Sequence, residues 1–363
     1  INPRVTVLVA QVIPAGKLPK YSYIPDLNRQ LPALAARLDT PASRVIAVDQ
    51  ETGFNVKTDT IADLVHPNAS GAQKMAQRWF DALTPLLGPP PLTARPALHV
   101  YKRPAGGDLA LHVFTPPDAR PGDSPRPAVV FFFGGAWRVG TPLQFYPECA
   151  ALARMGVVAI SADYRVAATH RTTPFECVED GKSAIRWVRQ NAARLGVDPA
   201  RIAAAGASAG GQVAASAAFT VAVDGPGEDT SVTSRPDALL LLYPVIDNGP
   251  GGFGHASFGD RWREMSPLHN VRRGAPPALL LVGTKDAHVP VPMVRTFKEE
   301  MEKAGSRCDL ILFEGAGHPI FEYRKGGGEA RERMLNAMRE FLRSLGWLSP
   351  GKELEPRIDT NGR

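Results

Sequence analysis

Gly206-Ala207-Ser208-Ala209-Gly210 is the stretch of the 363-residue sequence whose residue types and spacing best suit chemistry. The apolar run Ile202–Ala205 leads into it, and a helix-prone, small-residue run through Val213-Ala214-Ala215 leads out. Strand, G-x-S-x-G and helix, in that order, put a serine on a sharp turn with its hydroxyl lifted clear of the sheet. Glycines two positions before and after remove side chains that would collide with neighbouring backbone. The helix start beside the serine favours negative charge nearby. The bland alternative is a Gly/Ala-rich turn with an incidental serine.

A nucleophilic serine needs a base, an acid to orient that base, and donors for an oxyanion. His318 lies in Gly315-Ala316-Gly317-His318-Pro319, after the last apolar run, where a Gly-rich loop lets an imidazole reach the serine. His288 is the rival, but it stands too close in sequence to the acid to fit the chain order easily. Asp286, in Gly283-Thr284-Lys285-Asp286, follows the preceding apolar run; Asp247, after Tyr243-Pro244, is the rival acid. Phe133-Gly134-Gly135-Ala136-Trp137 follows Ala128–Phe133. Its glycine pair exposes backbone N–H groups that, with the N–H of Ala209, can hold an oxyanion; the alternative is a tight turn. Trp137, with Phe253, Phe258 and Trp262 of the insertion Asn248–Ala275, can wall a small acyl pocket, or these rings only pack the insertion.

These residues need a scaffold that brings distant loops together, and the pattern supplies one. After a hairpin at Ala97–Lys102 and Leu109–Thr115, buried strands at 128–133, 157–164, 201–208, 238–245, 277–283 and 308–313 alternate with helices at 142–155, 177–195, 291–304 and 331–345. Apolar strands alternating with helices predict a mostly parallel sheet covered on both faces, with ligands at the carboxyl ends of the strands.

The region 97–348 therefore resembles the α/β-hydrolase superfamily, and most of all its carbohydrate-esterase and acetylesterase branch. Four motifs over about 250 residues fall in the family order Ser, Asp, His behind a glycine loop. The resemblance implies Ser208 as nucleophile, His318 as base, Asp286 as orienter, Gly135, Ala136 and Ala209 as oxyanion donors, and Trp137 as a substrate contact. It implies a serine carboxylic-ester hydrolase, working through an acyl-enzyme without a cofactor, on short-chain, acetyl or feruloyl esters of carbohydrates. The alternatives are a peptidase of the same fold and an inactive glycan-binding module. Where many relatives carry histidine before the glycines, Phe133 stands here, so the loop must be braced differently.

Residues 1–88 read as strand 4–12, helix 26–38 with Leu27, Leu31, Leu34 and Leu38 at helical spacing, strand 44–49, and helix 69–84 carrying Met75, Trp79, Phe80 and Leu83. The run Asp63-Leu64-Val65-His66-Pro67-Asn68 before the last helix resembles the closing motif of SGNH (GDSL-type) esterases. That likeness implies that Asp63 and His66 would serve a serine near the start of such a domain, yet no Gly-Asp-Ser precedes Asp63. The expectation is a partial α/β segment whose role is packing, against the second domain or another copy of the chain. Residues 89–96 form a proline-rich linker, and 349–363 a polar, disordered tail.

Composition narrows the classes. No apolar run approaches the roughly 20 residues of a membrane span. The net charge of +6 comes from scattered Lys and Arg, a solvated surface rather than a nucleic-acid footprint. Cys149, Cys177 and Cys308 match no metal or redox spacing and read as buried thiols, and the 8 histidines lack ligand spacing. No metal and no cofactor are expected. The chain begins at Ile1 without a visible leader, which ties location to what precedes it: secreted or periplasmic with a signal peptide, otherwise cytoplasmic.

Overall fold

The computed structural model describes residues 6–87, 96–120, 122–220, 223–320 and 327–348. The linker at 89–96, apart from Pro96, and the tail at 349–363 lie outside the described residues. The chain divides into two compact units, 1–93 and 94–363.

In the first unit, β1 (Val7–Ala10) and β2 (Val45–Val48) pair in parallel, with the helix Ile24–Leu38 between them in sequence. The short helix Val56–Asp59 and the long helix Ala69–Leu87 follow. The leucine stripe of the first helix is not its buried face. Ile24, Asn28 and Ala35 are buried, while Leu27, Leu34 and Leu38 are exposed. The buried Asn28 explains the rotation: its carboxamide accepts from Val12 N–H at 2.8 Å and donates to Val12 C=O at 2.7 Å, tying the helix to the end of β1. Phe80 on the last helix is likewise exposed. A two-stranded sheet offers too little apolar surface to cover both helices.

The second unit is an eight-stranded sheet in the order β10-β9-β8-β7-β5-β6-β4-β3. The strands are β3 (Ala97–Lys102), β4 (Leu109–Phe114), β5 (Arg126–Phe132), β6 (Val158–Ala162), β7 (Val197–Ala207), β8 (Ala238–Leu242), β9 (Ala278–Gly283) and β10 (Cys308–Phe313). β4 runs antiparallel to β3 and β6, and all the other pairs are parallel. This is the α/β-hydrolase fold. β5, β8 and most of β7 are buried on both faces, which is why they read as unbroken apolar runs.

Local chemistry shifts several element ends. The helix expected from Cys177 starts at Pro174, because Thr173 and Glu176 form a capping box around Pro at the first turn. It ends at Gln190, and Ala192–Leu195 is a separate turn stopped by Gly196 in the left-handed region. Residues 142–145 form a 3₁₀ turn before the helix Tyr146–Arg154. The insertion at 248–275 folds into short helical turns. The closing helix spans Gly327–Ser344.

Register then decides what meets. Phe132 at the end of β5 pairs with Gly206 near the end of β7. The glycine loop and the serine turn therefore leave the sheet side by side. Gly283 and Phe313 end β9 and β10 in register, so Asp286 and His318 also leave together.

Candidate functional site

Ser208 has φ 53° and ψ −119°, a conformation that non-glycine residues keep only where the surroundings impose it. Here they do. Its N–H donates to Leu242 C=O at 3.0 Å, and its own C=O accepts from Val245 at 3.0 Å and Gln212 at 3.2 Å. The flanking glycines leave room for this turn. A Cβ on Gly206 would come within 2.3 Å of the Gly210 carbonyl oxygen, and one on Gly210 within 2.1 Å of that of Phe132.

The loop after β5 lies against the turn: a Cβ on Gly134 would be 3.5 Å from Ser208 Cβ. Gly135, Ala136 and Trp137 all have positive φ, 129°, 54° and 60°. Gly134 N–H is taken up by Gln144 Oε1 at 2.6 Å. The N–H groups of Gly135 and Ala136 make no hydrogen bond among the described residues. Ala209 is the first residue of the helix Ala209–Phe219, where an N–H has no intrahelical acceptor. Three unused donors thus flank the serine. Phe133 is braced by stacking: its ring lies 4.0 Å from Tyr164, 16° off parallel, and Tyr164 O–H donates to its carbonyl at 2.6 Å.

His318 Nε2 is 2.8 Å from Ser208 Oγ, and His318 Nδ1 is 2.8 Å from Asp286 Oδ2. β8 separates the strand of the serine from those of the other two, so the histidine loop crosses the end of β8. On the way it passes the end of β9, where Gly283 leaves it room, since a Cβ there would stand 2.3 Å from Ala316 C=O, and at β8 Tyr243 meets the His318 ring edge-on at 4.9 Å. The other oxygen of Asp286 accepts from His288 and Val289 N–H, each at 2.8 Å. Burial alone would raise the Asp286 carboxyl. The hydrogen bonds from His318 and these two amides outweigh it and hold the pKa below the usual carboxylate range. A hydroxyl, a base and an ionised carboxylate in one hydrogen-bonded line can move a proton from serine to imidazole.

The rivals are placed elsewhere. Asp247 accepts from Gly249 N–H at 2.7 Å and faces His269 Nδ1 at 3.7 Å. His288 stands perpendicular to His318, ring centres 4.9 Å apart, as a wall of the cleft.

That cleft has a volume of about 770 Å³ and is lined by Ser208, His318, the glycine loop, Val139, Tyr243 and Phe253 among others. Trp137 is not among its walls. The indole is buried, 2% exposed, and donates from Nε1 to Gln212 Oε1 at 3.0 Å. Its substrate contact is therefore corrected to a buried support, held by Gln212 and packed against Phe253 and Phe258. Of the insertion aromatics, Phe253 lines the cleft, Phe258 packs edge-on against Trp137 at 5.2 Å, and Trp262 meets His269 at 4.8 Å. The sequence reading missed Gln144 and Gln212. An amide in the Ala/Gly run of residues 209–218 was the available signal for the second; nothing marked the first.

All three cysteines are free and buried, and burial raises their thiols, that of Cys308 to about 12. Among the described residues no three His, Cys, Asp or Glu side chains are grouped to hold a metal, and no helix is long and apolar enough to cross a membrane.

In the first unit, His66 Nδ1 lies 2.5 Å from Asp63 Oδ2, and Asp63 Oδ1 accepts from Val65 and His66 N–H. The His66 side chain is 74% exposed, and no serine hydroxyl bonds it among the described residues.

Comparison with known proteins adds kinship. A profile of the family described as alpha/beta hydrolase fold matches residues 129–261, and one of the prolyl oligopeptidase family matches 249–345. The structure of Thermogutta terrifontis esterase 2 phosphorylated by paraoxon is 42% identical, covering 70% of this chain and 96% of that one, with a TM-score of 0.67. The butyrate-bound structure of Est2 from the same species is also 42% identical, covering 70% and 96%, with a TM-score of 0.66. Esterase LipC of Mycobacterium tuberculosis is 36% identical over 220 residues, 53% of each chain. The chain thus spans about half the length of that curated relative.

Proposed function

This chain belongs to the α/β-hydrolase superfamily, and from that premise we propose that it is a serine carboxylic-ester hydrolase. The observation that carries the proposal is the unbroken line Ser208 Oγ, His318, Asp286, beside three unused backbone donors. In this reading His318 Nε2 takes the Ser208 proton as Oγ attacks the ester carbonyl. The oxyanion rests on the N–H groups of Gly135, Ala136 and Ala209. His318 returns the proton to the leaving alcohol, and a water activated by the same imidazole releases the acid. Asp286 keeps the imidazole tautomer correct and stabilises its charged form.

Short acyl groups fit best. Phe253, Tyr243 and Val139 offer limited apolar wall in an open cleft, and the Est2 relative was solved with butyrate bound. We place the natural substrates among acetyl or feruloyl esters of carbohydrates, on the likeness of both units' motifs to esterases of that kind. Acetyl to butyryl nitrophenyl esters should outrun esters longer than about eight carbons in kcat/KM. Added methylenes that stay in water gain none of the ~0.8 kcal/mol each that a long apolar pocket would return, while a chain with no channel to follow must be bent out of the cleft at a cost in alignment. A rising kcat/KM with chain length would refute this. Acetylated xylan and methyl ferulate in the same panel test the carbohydrate assignment.

The prolyl oligopeptidase match at 249–345, which spans Asp286 and His318, favours peptide cleavage as a second reading. Peptide nitroanilides turned over faster than esters would support it. An inactive glycan-binding module would turn over neither.

The reading confines hydrolysis to the second unit. His66→Ala should leave ester kcat/KM within about a factor of two, since an exposed imidazole without a hydroxyl partner has nothing to activate. A large loss in a folded variant would reveal a second working site.

A further inference from the structure

Gln212 is buried four residues after the serine, and every polar atom of its carboxamide is used. Oε1 accepts from Trp137 Nε1 at 3.0 Å; Nε2 donates to Ser216 Oγ at 2.9 Å and to Met265 C=O at 3.1 Å. Ser216 Oγ also donates to Met265 C=O, at 3.2 Å. The backbone N–H of Gln212 meanwhile donates to Ser208 C=O at 3.2 Å. One residue therefore holds the nucleophile through its main chain, and through its side chain the loop that carries the oxyanion donors. Trp137 directly follows Ala136, so where the indole is anchored fixes where the Ala136 N–H stands relative to Ser208 Oγ. Met265 brings in a third element, the insertion whose Phe253 walls the cleft.

We infer that Gln212, acting through Trp137, is a positioning residue that sets the spacing between the oxyanion donors and the nucleophile. The inference rests on the esterase reading. Backbone donors on a loop with three successive positive φ values have no regular secondary structure to hold them. A strained loop keeps such a shape only when it is tied at more than one point. Tyr164 ties it at Phe133, Gln144 at Gly134, and the backbone N–H groups of Ala167 and Ala168 at the carbonyls of Trp137 and Arg138. The Gln212–Trp137 bond is the tie that refers the loop to the serine's own helix. The transition state needs that reference more than the ground state does, because the donors must meet the oxygen as charge develops on it.

The test compares wild type, Trp137→Phe, Gln212→Leu and the double variant with nitrophenyl butyrate and a trifluoromethyl ketone. Ser208 Oγ adds to the ketone carbon, its proton passes to His318, and the hemiketal oxygen needs the same donors. Both single variants should lose about 10- to 100-fold in kcat, as small misplacements cost. KM should stay within about threefold, and the ketone should weaken by the same factor as kcat. The double variant should be no worse than the worse single one, since both remove one tie. Trp137→Phe keeps an aromatic ring and reports on the tie if Gln212→Leu does not fold. A lowered melting temperature with kcat and ketone affinity intact would make the bond merely structural and overturn the inference; losses that multiply in the double variant would overturn it too. A wild type that neither hydrolyses the ester nor binds the ketone would instead sink the esterase reading, and the positioning role with it.

Discussion

Ser208→Ala should lower ester kcat by about 10³-fold or more, roughly 4 kcal/mol of transition-state stabilisation, while the protein stays folded. The size follows from what the hydroxyl alone does. It is the partner of His318 Nε2, so its removal leaves a base with no proton to take and a carbonyl with no attacking oxygen. The residual rate comes from the oxyanion donors acting on water. The fold should tolerate the change because none of the bonds that hold the turn involve Oγ. The Ser208 N–H and C=O bonds to Leu242, Val245 and Gln212 are main-chain bonds, and alanine inherits the same strain. Steady-state turnover, circular dichroism and loss of labelling by a fluorophosphonate probe check the three parts together. A folded variant that keeps most of its activity would remove Ser208 from the chemistry.

The site was legible where a motif and a strand end coincide. Gly206–Gly210, Asp286 and His318 each follow an apolar run, and a parallel sheet collects the loops at those ends. That logic gives no account of reach. The histidine loop must pass the ends of β9 and β8, which needs Gly283 as a gap at the first and Tyr243 as a floor at the second, and neither is marked by type or spacing. Trp137 misled because an aromatic just after a glycine pair looks like a pocket wall; its burial rests on Gln212, Phe253 and Phe258, all distant in sequence. Side-chain direction in irregular backbone is set by tertiary ties such as Gln212, which sequence periodicity does not encode. The helix Ile24–Leu38 shows the same limit differently. Its leucine spacing predicts a buried face correctly only if a partner surface covers it, and a small two-stranded unit instead buries Asn28, whose amide the end of β1 can satisfy.

Asp286→Asn is the second large effect, and the geometry says why so mild a change should be costly. Asp286 Oδ1 accepts two backbone N–H groups, from His288 and Val289. In the asparagine variant the carbonyl oxygen must stay on that side, since an NH₂ facing two N–H donors would leave all of them unpaired. The amide NH₂ then faces His318 Nδ1. A donor there selects the tautomer that is unprotonated at Nδ1 and protonated at Nε2. That tautomer presents N–H to Ser208 Oγ and has no lone pair to take its proton. The imidazolium that forms during attack also loses the carboxylate that would stabilise it. A loss of about 10³- to 10⁴-fold in kcat is expected. Asp247→Asn is the control. Asp247 accepts from Gly249 and lies near His269, outside the line from Asp286 through His318 to Ser208, so its variant should lose no more than about fivefold, a modest local effect. Parallel steady-state kinetics on both folded variants decide the matter. The reverse ranking would transfer the acid to Asp247 and require His318 to leave Asp286 for Asp247 during turnover.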